Sequence, residues 1–260
     1  MTNRFSVLAA AQCGVFLRPQ VIAAGLSSDE IRQRIRTNAW TAIRRGAYVE
    51  SAIWRSMTEA ERYRARCFAV FAKIGGDAVL SHVSAVALHD LPTWGHDLGM
   101  VHASRGRTSR VEAGVVHHRS PAPAEQTAEV AGLTISAPGR ALVETALISP
   151  YEACVPTADA ALRAGMTTKH ELLHIVDSMR DWAGARNAGR VVAFADGRAE
   201  SVGESRARVA LDLAGLPEPA LQYDVRDRLG NLVARLDFYF EEDRTIVEGP
   251  RSVRATPSEE

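Results

Sequence analysis

Apolar residues recur at helical spacing over most of the first forty positions and then alternate along two short runs. Gly25 ends one helical stretch, and Ser27 with Glu30 forms a capping box that begins the next. Arg44-Arg45-Gly46 separates the two alternating runs and predicts a hairpin turn. The pattern therefore predicts helices near residues 5–11, 18–24 and 28–37 and strands at 40–43 and 47–49.

Helical and alternating patterns are mixed along the rest of the chain, which predicts an α+β fold. The predicted helices are 58–74, 81–88, 138–147, 151–164 and 201–213, and the predicted strands are 78–80, 98–103, 111–119, 130–136, 220–225, 232–240 and 245–248. We expect four parts along the chain: a small domain at 1–52, an α+β middle region at 53–197, a partial α/β segment at 198–248 and a disordered tail at 249–260.

The composition is that of a globular protein, because 46% of the 260 residues are hydrophobic and 24% are charged. No stretch reaches the roughly 18 apolar residues that a transmembrane helix needs. The apolar run near the N-terminus is too short for a secretion signal. Three widely spaced cysteines form no disulfide framework. Together these features predict a cytoplasmic protein without a membrane partner.

Charge is uneven along the chain: the net charge is zero, yet residues 1–50 hold seven arginines against three carboxylates. Arginine and glutamine on the polar face of the third predicted helix can make bidentate contacts with guanine and adenine. Two arginines at a hairpin tip can hold phosphates. A plain three-helix unit with a solvated arginine face is the alternative. The order of elements favours a winged helix-turn-helix that contacts double-stranded DNA through Arg32, Gln33, Arg36, Thr37, Arg44 and Arg45.

Two stretches carry a resemblance to a known family. Residues 20–27, Gln-Val-Ile-Ala-Ala-Gly-Leu-Ser, and the run from Trp40 to Arg-Gly-Ala-Tyr48 resemble the N-terminal winged helix of AbiEi-type antitoxins of type IV toxin–antitoxin systems. Ser-His-x-Ser-Ala at 81–85 and Leu-His-x-Leu-Pro at 88–92 extend the likeness to about residue 150. The resemblance implies a DNA-binding protein that binds and regulates its own promoter, with a cognate toxin as a further partner. We expect DNA binding to need no cofactor.

Histidines offer two candidate metal sites, neither of which we assign. Six of the eight histidines lie between residues 82 and 118, but no carboxylate or cysteine stands at ligand spacing beside them, which favours structural or surface roles. His170-Glu-Leu-Leu-His174 matches the zinc-peptidase pattern HExxH. Zinc there needs a third protein ligand, and no further histidine follows at the required spacing. We interpret this match as an ordinary helix.

Three carboxylates near the C-terminal end suggest metal chemistry. The run from Arg235 to Phe240 alternates and places Asp237 opposite its aromatic face. Glu204 begins the preceding helix, and Glu248 ends the next strand. Carboxylates from a helix and two adjacent strands can converge on Mg²⁺, which would activate water for phosphodiester hydrolysis.

This segment resembles PD-(D/E)xK nucleases, and most closely the family related to the very-short-patch-repair endonuclease. The resemblance implies catalytic roles for Glu204, Asp237 and Glu248. The sequence then departs from the family, because Pro250 stands at the expected lysine and residues 249–260 have no strand or helix period. We therefore expect a truncated, inactive remnant of a restriction-endonuclease-like domain, in which Asp237 and Glu248 bind a cation weakly.

The sequence thus favours a sequence-specific DNA-binding regulator of its own promoter, with an inactive nuclease-like C-terminal segment. A magnesium-dependent endonuclease is the alternative enzyme function. A scaffold that binds a toxin without DNA is a third possibility. The basic N-terminal part favours DNA, and the interrupted nuclease pattern disfavours the enzyme.

Overall fold

The computed structural model describes residues 4–106, 108–119 and 122–248. The expected tail at 249–260, including Pro250, lies outside the described residues. Residues 4–50 form three short helices and one antiparallel sheet, in which the third strand lies between the other two. These elements are α1 (Arg4–Ala10), β1 (Phe16–Leu17), α2 (Arg18–Ala23), α3 (Ser28–Arg36), β2 (Trp40–Arg44) and β3 (Ala47–Glu50).

A small aromatic core holds the helices of this part against its sheet. Phe16, Trp40 and Tyr48 are buried, with ring centroids 4.6–6.0 Å apart. Val21 on α2 and Ile31 on α3 are buried in the same cluster. Strand β1, which supplies Phe16, is only two residues long and was absent from the sequence-based prediction.

The predicted turns and caps of this part are confirmed. Gly25 follows α2 with φ of +95°, and Gly46 closes the β2–β3 hairpin with φ of +83°, a region that favours glycine. The Ser27 hydroxyl accepts from the Glu30 N–H at 3.2 Å. The Glu30 carboxylate accepts from the Ser27 N–H at 2.7 Å, which completes the capping box of α3.

The middle region is built around a six-stranded mixed sheet with the order β6-β7-β5-β4-β9-β8, where β5–β7 and β4–β9 are parallel pairs. Its strands are β4 (Val79–Leu80), β5 (Val101–Ser104), β6 (Arg110–Glu112), β7 (Val115–His118), β8 (Thr127–Val130) and β9 (Leu133–Ser136). Its helices are α4 (Ser51–Ser56), α5 (Glu59–Ile74), α6 (His82–Leu88), α7 (Pro138–Ile148), α8 (Tyr151–Arg163), α9 (Lys169–Ser178) and α10 (Ala185–Phe194).

Two stretches predicted as single strands are hairpins. The strand expected at 111–119 is divided by Ala113-Gly114, and the one expected at 130–136 begins earlier and is divided by Ala131-Gly132. All four turn residues have positive φ, as two-residue hairpin turns require. Sequence periodicity missed both turns because the residues beside them continue the apolar alternation.

One apolar core joins the sheet to the helices that follow it. It includes buried residues of α5 to α10 and extends from Val15 before β1 to Val209 near the C-terminal end. Tyr63 on α5 is fully buried, and its hydroxyl contacts the Ser84 hydroxyl at 2.7 Å and donates to the Met100 carbonyl at 2.8 Å. The boundaries expected at residues 52 and 197 stay predictions.

The last described part contains α11 (Val202–Leu213), β10 (Ala220–Arg226), β11 (Leu232–Phe240) and β12 (Thr245–Val247). All three strands were predicted, and they form an antiparallel sheet in chain order. A buried ion pair holds α11 to α8, because an Arg208 nitrogen lies 2.9 Å from the Asp159 carboxylate. Arg208 is 1% exposed and Asp159 is fully buried.

The described residues mix helices with mixed and antiparallel sheets, which agrees with the predicted α+β class. Within them, no helix is long and apolar enough to span a bilayer.

Candidate functional site

Helix α3 presents the polar face that the sequence predicts. Arg32, Gln33 and Arg36 are exposed, whereas Ile31 on the opposite face is buried. The Arg32 guanidinium pairs with Asp29 one turn earlier on the same helix. Thr37 is exposed, but its hydroxyl donates to the Gln33 carbonyl at 3.0 Å and so caps the helix end. This face therefore offers two arginines and one amide to a partner.

The tip of the β2–β3 hairpin carries two arginines in different environments. Arg45 is exposed. Arg44 is half-buried, and one of its terminal nitrogens donates to the Ala113 carbonyl in the β6–β7 turn at 3.1 Å. This hydrogen bond links the first fifty residues to the edge of the six-stranded sheet. The two arginines predicted to hold phosphates are thus not equivalent.

Two of the three C-terminal carboxylates lie side by side in the small sheet, and the third begins helix α11. Phe238 pairs with Val247, so the next register position places Asp237 of β11 opposite Glu248. On the other side of β11, the register places Gln222 of β10 opposite Asp237. The Gln222 amide donates to the Glu204 carboxylate at 3.2 Å, which joins the start of α11 to β10.

The Glu204 carboxylate already accepts hydrogen bonds at the start of its own helix. It accepts from the Ser201 hydroxyl and from the Glu200 N–H, both at 2.8 Å, as part of the cap of α11. The ligand oxygens of Glu204, Asp237 and Glu248 do not all lie within 4.8 Å of one another. The structure therefore sets Asp237 beside Glu248 and links Glu204 to Gln222. It does not bring the three carboxylates together at one point.

Three histidine side chains lie close together in the structure, and the sequence did not predict this group. Among the described residues, His82, His102 and His118 are the one group of three or more histidine, cysteine or acidic side chains whose ligand atoms all lie within 4.8 Å. His102 Nδ1 lies 2.9 Å from His118 Nε2. The ring centroids of His82 and His118 are 3.7 Å apart and nearly parallel. We call these three residues the histidine cluster.

Burial keeps the histidine cluster uncharged at neutral pH. It lowers the pKa of His102 and of His118 to about 4. It also holds the pKa of His82 well below its usual range, with the two neighbouring imidazoles and Arg140 adding to the effect. These three rings are in contact, so the expectation that the histidines are scattered is wrong for them, while the expectation that they are structural stays a prediction.

Nonlocal pairing explains why the cluster was missed. His102 and His118 lie on one face of neighbouring parallel strands, two register positions apart, while His117 points to the other face. His89 lies seven positions after His82, a spacing that would put both on one helix face, but its Nε2 contacts the Ser136 carbonyl at 2.8 Å. The alternation at 115–118 was the available signal, but it does not identify the partner strand.

The HExxH residues lie on the surface. His170, Glu171 and His174 are exposed on α9. The Thr167 hydroxyl donates to the Glu171 carboxylate at 2.8 Å, and Thr168 caps the helix. The arrangement is that of an ordinary capped helix start.

Comparison with known proteins gives relatives without a stated function. No family model matches the chain. Over 177 residues the chain is 33% identical to the uncharacterized proteins MT2308 and Rv2248 of Mycobacterium tuberculosis, strains CDC 1551 and H37Rv. The match spans 67% of this chain and 63% of each relative, which is less than two thirds of their length. The crystal structure of the RV2827C protein from Mycobacterium tuberculosis is 16% identical, with a TM-score of 0.44 and coverage of 86% of this chain and 87% of that one.

Proposed function

We propose that residues 4–50 are a winged helix-turn-helix and that the protein is a sequence-specific regulator that binds double-stranded DNA. The observation that carries the proposal is the exposed face of α3, where Arg32, Gln33 and Arg36 stand on a helix whose other side is fixed by the aromatic core. A helix preceded by a short helix and a glycine turn, and followed by a basic hairpin, is the order of elements in this module.

The energetics of the face suit base recognition. Arg32 has to leave Asp29 before it can contact a base, but both side chains are largely exposed, at 73% and 85%. Such a surface pair contributes at most about 1 kcal/mol. A bidentate arginine–guanine contact contributes roughly 1–3 kcal/mol of discrimination. The exchange therefore favours DNA when the base is correct.

The resemblance to AbiEi-type antitoxins directs the proposal to the protein's own promoter. The test is fluorescence anisotropy with a labelled duplex from upstream of its gene and with an unrelated duplex of equal length. Arg32→Ala/Arg36→Ala should lower the affinity for the upstream duplex by roughly 30-fold or more, since two contacts are lost. Arg186→Ala/Arg228→Ala removes the same charge from two exposed positions elsewhere and serves as the matched control.

The outcomes of this test distinguish base contacts by α3 from the alternative of a scaffold without DNA. Loss of the preference for the upstream duplex in the α3 variant alone supports base contacts by α3. Equal affinity of the two double variants contradicts them. If the wild-type protein binds neither duplex, a scaffold that binds a toxin partner becomes the better explanation.

A magnesium-dependent endonuclease is the second candidate, favoured by one observation. The sheet register sets Asp237 opposite Glu248 and joins Glu204 to them through Gln222. Two adjacent carboxylates fit Mg²⁺, which prefers oxygen ligands. Mg²⁺ bound there would polarise a phosphate, and the carboxylates of this chain would orient it. Strand breaks in the same duplexes that need Mg²⁺ and disappear in Asp237→Ala would place this function first.

A further inference from the structure

We propose that the histidine cluster is a binding site for Zn²⁺ or a chemically similar divalent transition-metal ion. Three backbone elements build the site, because His82 begins α6, His102 lies on β5 and His118 ends β7. Imidazole nitrogen is a preferred ligand of zinc, copper and nickel ions. Three histidines with a fourth position open form a common arrangement for zinc with a bound water.

The distance between His102 and His118 is close to that in a coordinated ion, whereas the His82 ring, stacked on His118 with centroids 3.7 Å apart, has to turn out of the stack to share the ion. Two nitrogens bound to zinc at tetrahedral angles lie about 3.3 Å apart. His102 Nδ1 and His118 Nε2 are 2.9 Å apart, so the rings have to separate by a few tenths of an ångström. As neutral rings they share one N–H···N hydrogen bond. For an ion to bind both nitrogens, the donor ring has to take its other neutral tautomer, which moves its proton to the far ring nitrogen and frees the lone pair.

His82 is held in an unusual backbone conformation that delivers its ring to the cluster. Its φ is +53°, a region that residues with a Cβ rarely adopt and that recurs at functional sites. His82 Nδ1 lies 3.0 Å from the Ser81 hydroxyl. This contact orients the ring as a supporting shell does in metal sites and leaves Nε2 for an ion.

A polar side chain without a partner supports a ligand at this place. Ser104 pairs with His118 in the parallel register, so its side chain lies on the same face of the sheet as His102 and His118. Its hydroxyl is buried and has no hydrogen-bond partner among the described residues. Buried hydroxyls without partners are rare, and a water bound to an ion would satisfy this one.

The local charge permits a cation. The charged pair beside His82 is Arg140 with Glu144, whose side chains form a buried ion pair at 2.7 Å. Glu144 also accepts from the His82 N–H at 3.4 Å and from the Ser136 hydroxyl at 2.9 Å. The Glu144 carboxylate thus lies beside both Arg140 and His82, where it offsets part of the positive charge that a bound cation would meet from Arg140.

The test uses Co²⁺ as a coloured substitute for Zn²⁺ with the full-length protein. We expect one Co²⁺ per chain, visible absorption bands of a low-coordinate ion, and displacement by Zn²⁺. His118→Gln should weaken binding at least about 100-fold, since loss of even a supporting residue costs 10- to 100-fold. His170→Gln/His174→Gln, which removes the exposed HExxH imidazoles, is the matched control and should bind as tightly as the wild type.

A measurement on the wild type keeps the proposal testable if His118→Gln does not fold. Saturating Zn²⁺ should shift the ¹⁵N resonances of the ring nitrogens of His82, His102 and His118. Unchanged resonances of these rings overturn the proposal. So does undiminished binding by folded His118→Gln, or loss of binding in the HExxH control.

Discussion

Removing one member of the buried Arg208–Asp159 pair should destabilise the protein strongly. The Arg208 guanidinium donates to the Asp159 carboxylate and to the Phe194 carbonyl, each at 2.9 Å. Asp159 also accepts from the Asp196 N–H at 2.7 Å. The perturbation is Arg208→Met, which keeps much of the side-chain volume and removes the charge and every donor.

The magnitude follows from the burial of both partners. A buried carboxylate left without its cation costs about 3–5 kcal/mol. Burial already raises the pKa of Asp159, so the charged form depends on Arg208 and on its hydrogen bonds. Asp159→Asn should cost less, because Glu218 lies 3.6 Å from Arg208 and gives the stranded cation a second, largely exposed partner. Combining the two changes should cost less than their sum, since each removes the unpaired charge that the other leaves.

The assay is urea unfolding at pH 7, followed by circular dichroism, for the wild type, both single variants and the double variant. The interaction energy from this cycle should be about 2 kcal/mol or more, as for residues in direct contact. A loss below 1 kcal/mol for Arg208→Met would refute the reasoning. Additive losses in the double variant would do so too, because they would mean that the two charges do not depend on each other.

Two smaller effects should follow from local structure. Ser27→Ala removes the hydroxyl that caps α3 and should cost about 1 kcal/mol in urea unfolding, whereas Ser27→Asp should restore stability; equal values for the two variants would contradict the role of the cap. Burial lowers the pKa of His96 to about 4, and its Nε2 contacts the Thr157 hydroxyl at 3.0 Å. The unfolded chain therefore binds a proton on this ring between pH 6.5 and 4 that the folded chain does not, so stability falls as pH falls through this window, by up to about 3 kcal/mol for this ring. Urea unfolding at pH 7, 6 and 5 should show a weaker pH dependence in His96→Gln, and identical slopes would contradict the assignment.

Local signals in the sequence identified the caps and turns of the first fifty residues. The Ser27–Glu30 capping box and the Arg44-Arg45-Gly46 turn depend on residues at most three positions apart, so the pattern sufficed. Strand β1 has two residues and no period of its own. It forms only because Phe16 pairs with Tyr48 in β3, which no local pattern reveals.

The candidate sites also differ in whether local sequence signals are enough to predict them. The exposed face of α3 follows from helical periodicity alone, and the structure places Arg32 and Arg36 as predicted. The histidine cluster depends on the parallel pairing of β5 with β7, whose residues are separated by a hairpin strand. Parallel pairing across an intervening strand leaves no mark in the composition of either strand. Spacing along the chain therefore suggested scattered rings where the fold makes one group.

The hydrogen bond from Arg44 to the Ala113 carbonyl affects how much the hairpin could contribute to the proposed DNA binding. Arg45 can gain a phosphate without giving up a partner that the structure describes, whereas one terminal nitrogen of Arg44 already donates to a carbonyl and loses that bond if it turns to a phosphate. Exchanging one hydrogen bond for another contributes little free energy, beyond the added strength of a charged acceptor. In the proposed DNA complex, a phosphate that takes this nitrogen of Arg44 would compete with the β6–β7 turn and release the hydrogen bond between the hairpin and the edge of the six-stranded sheet.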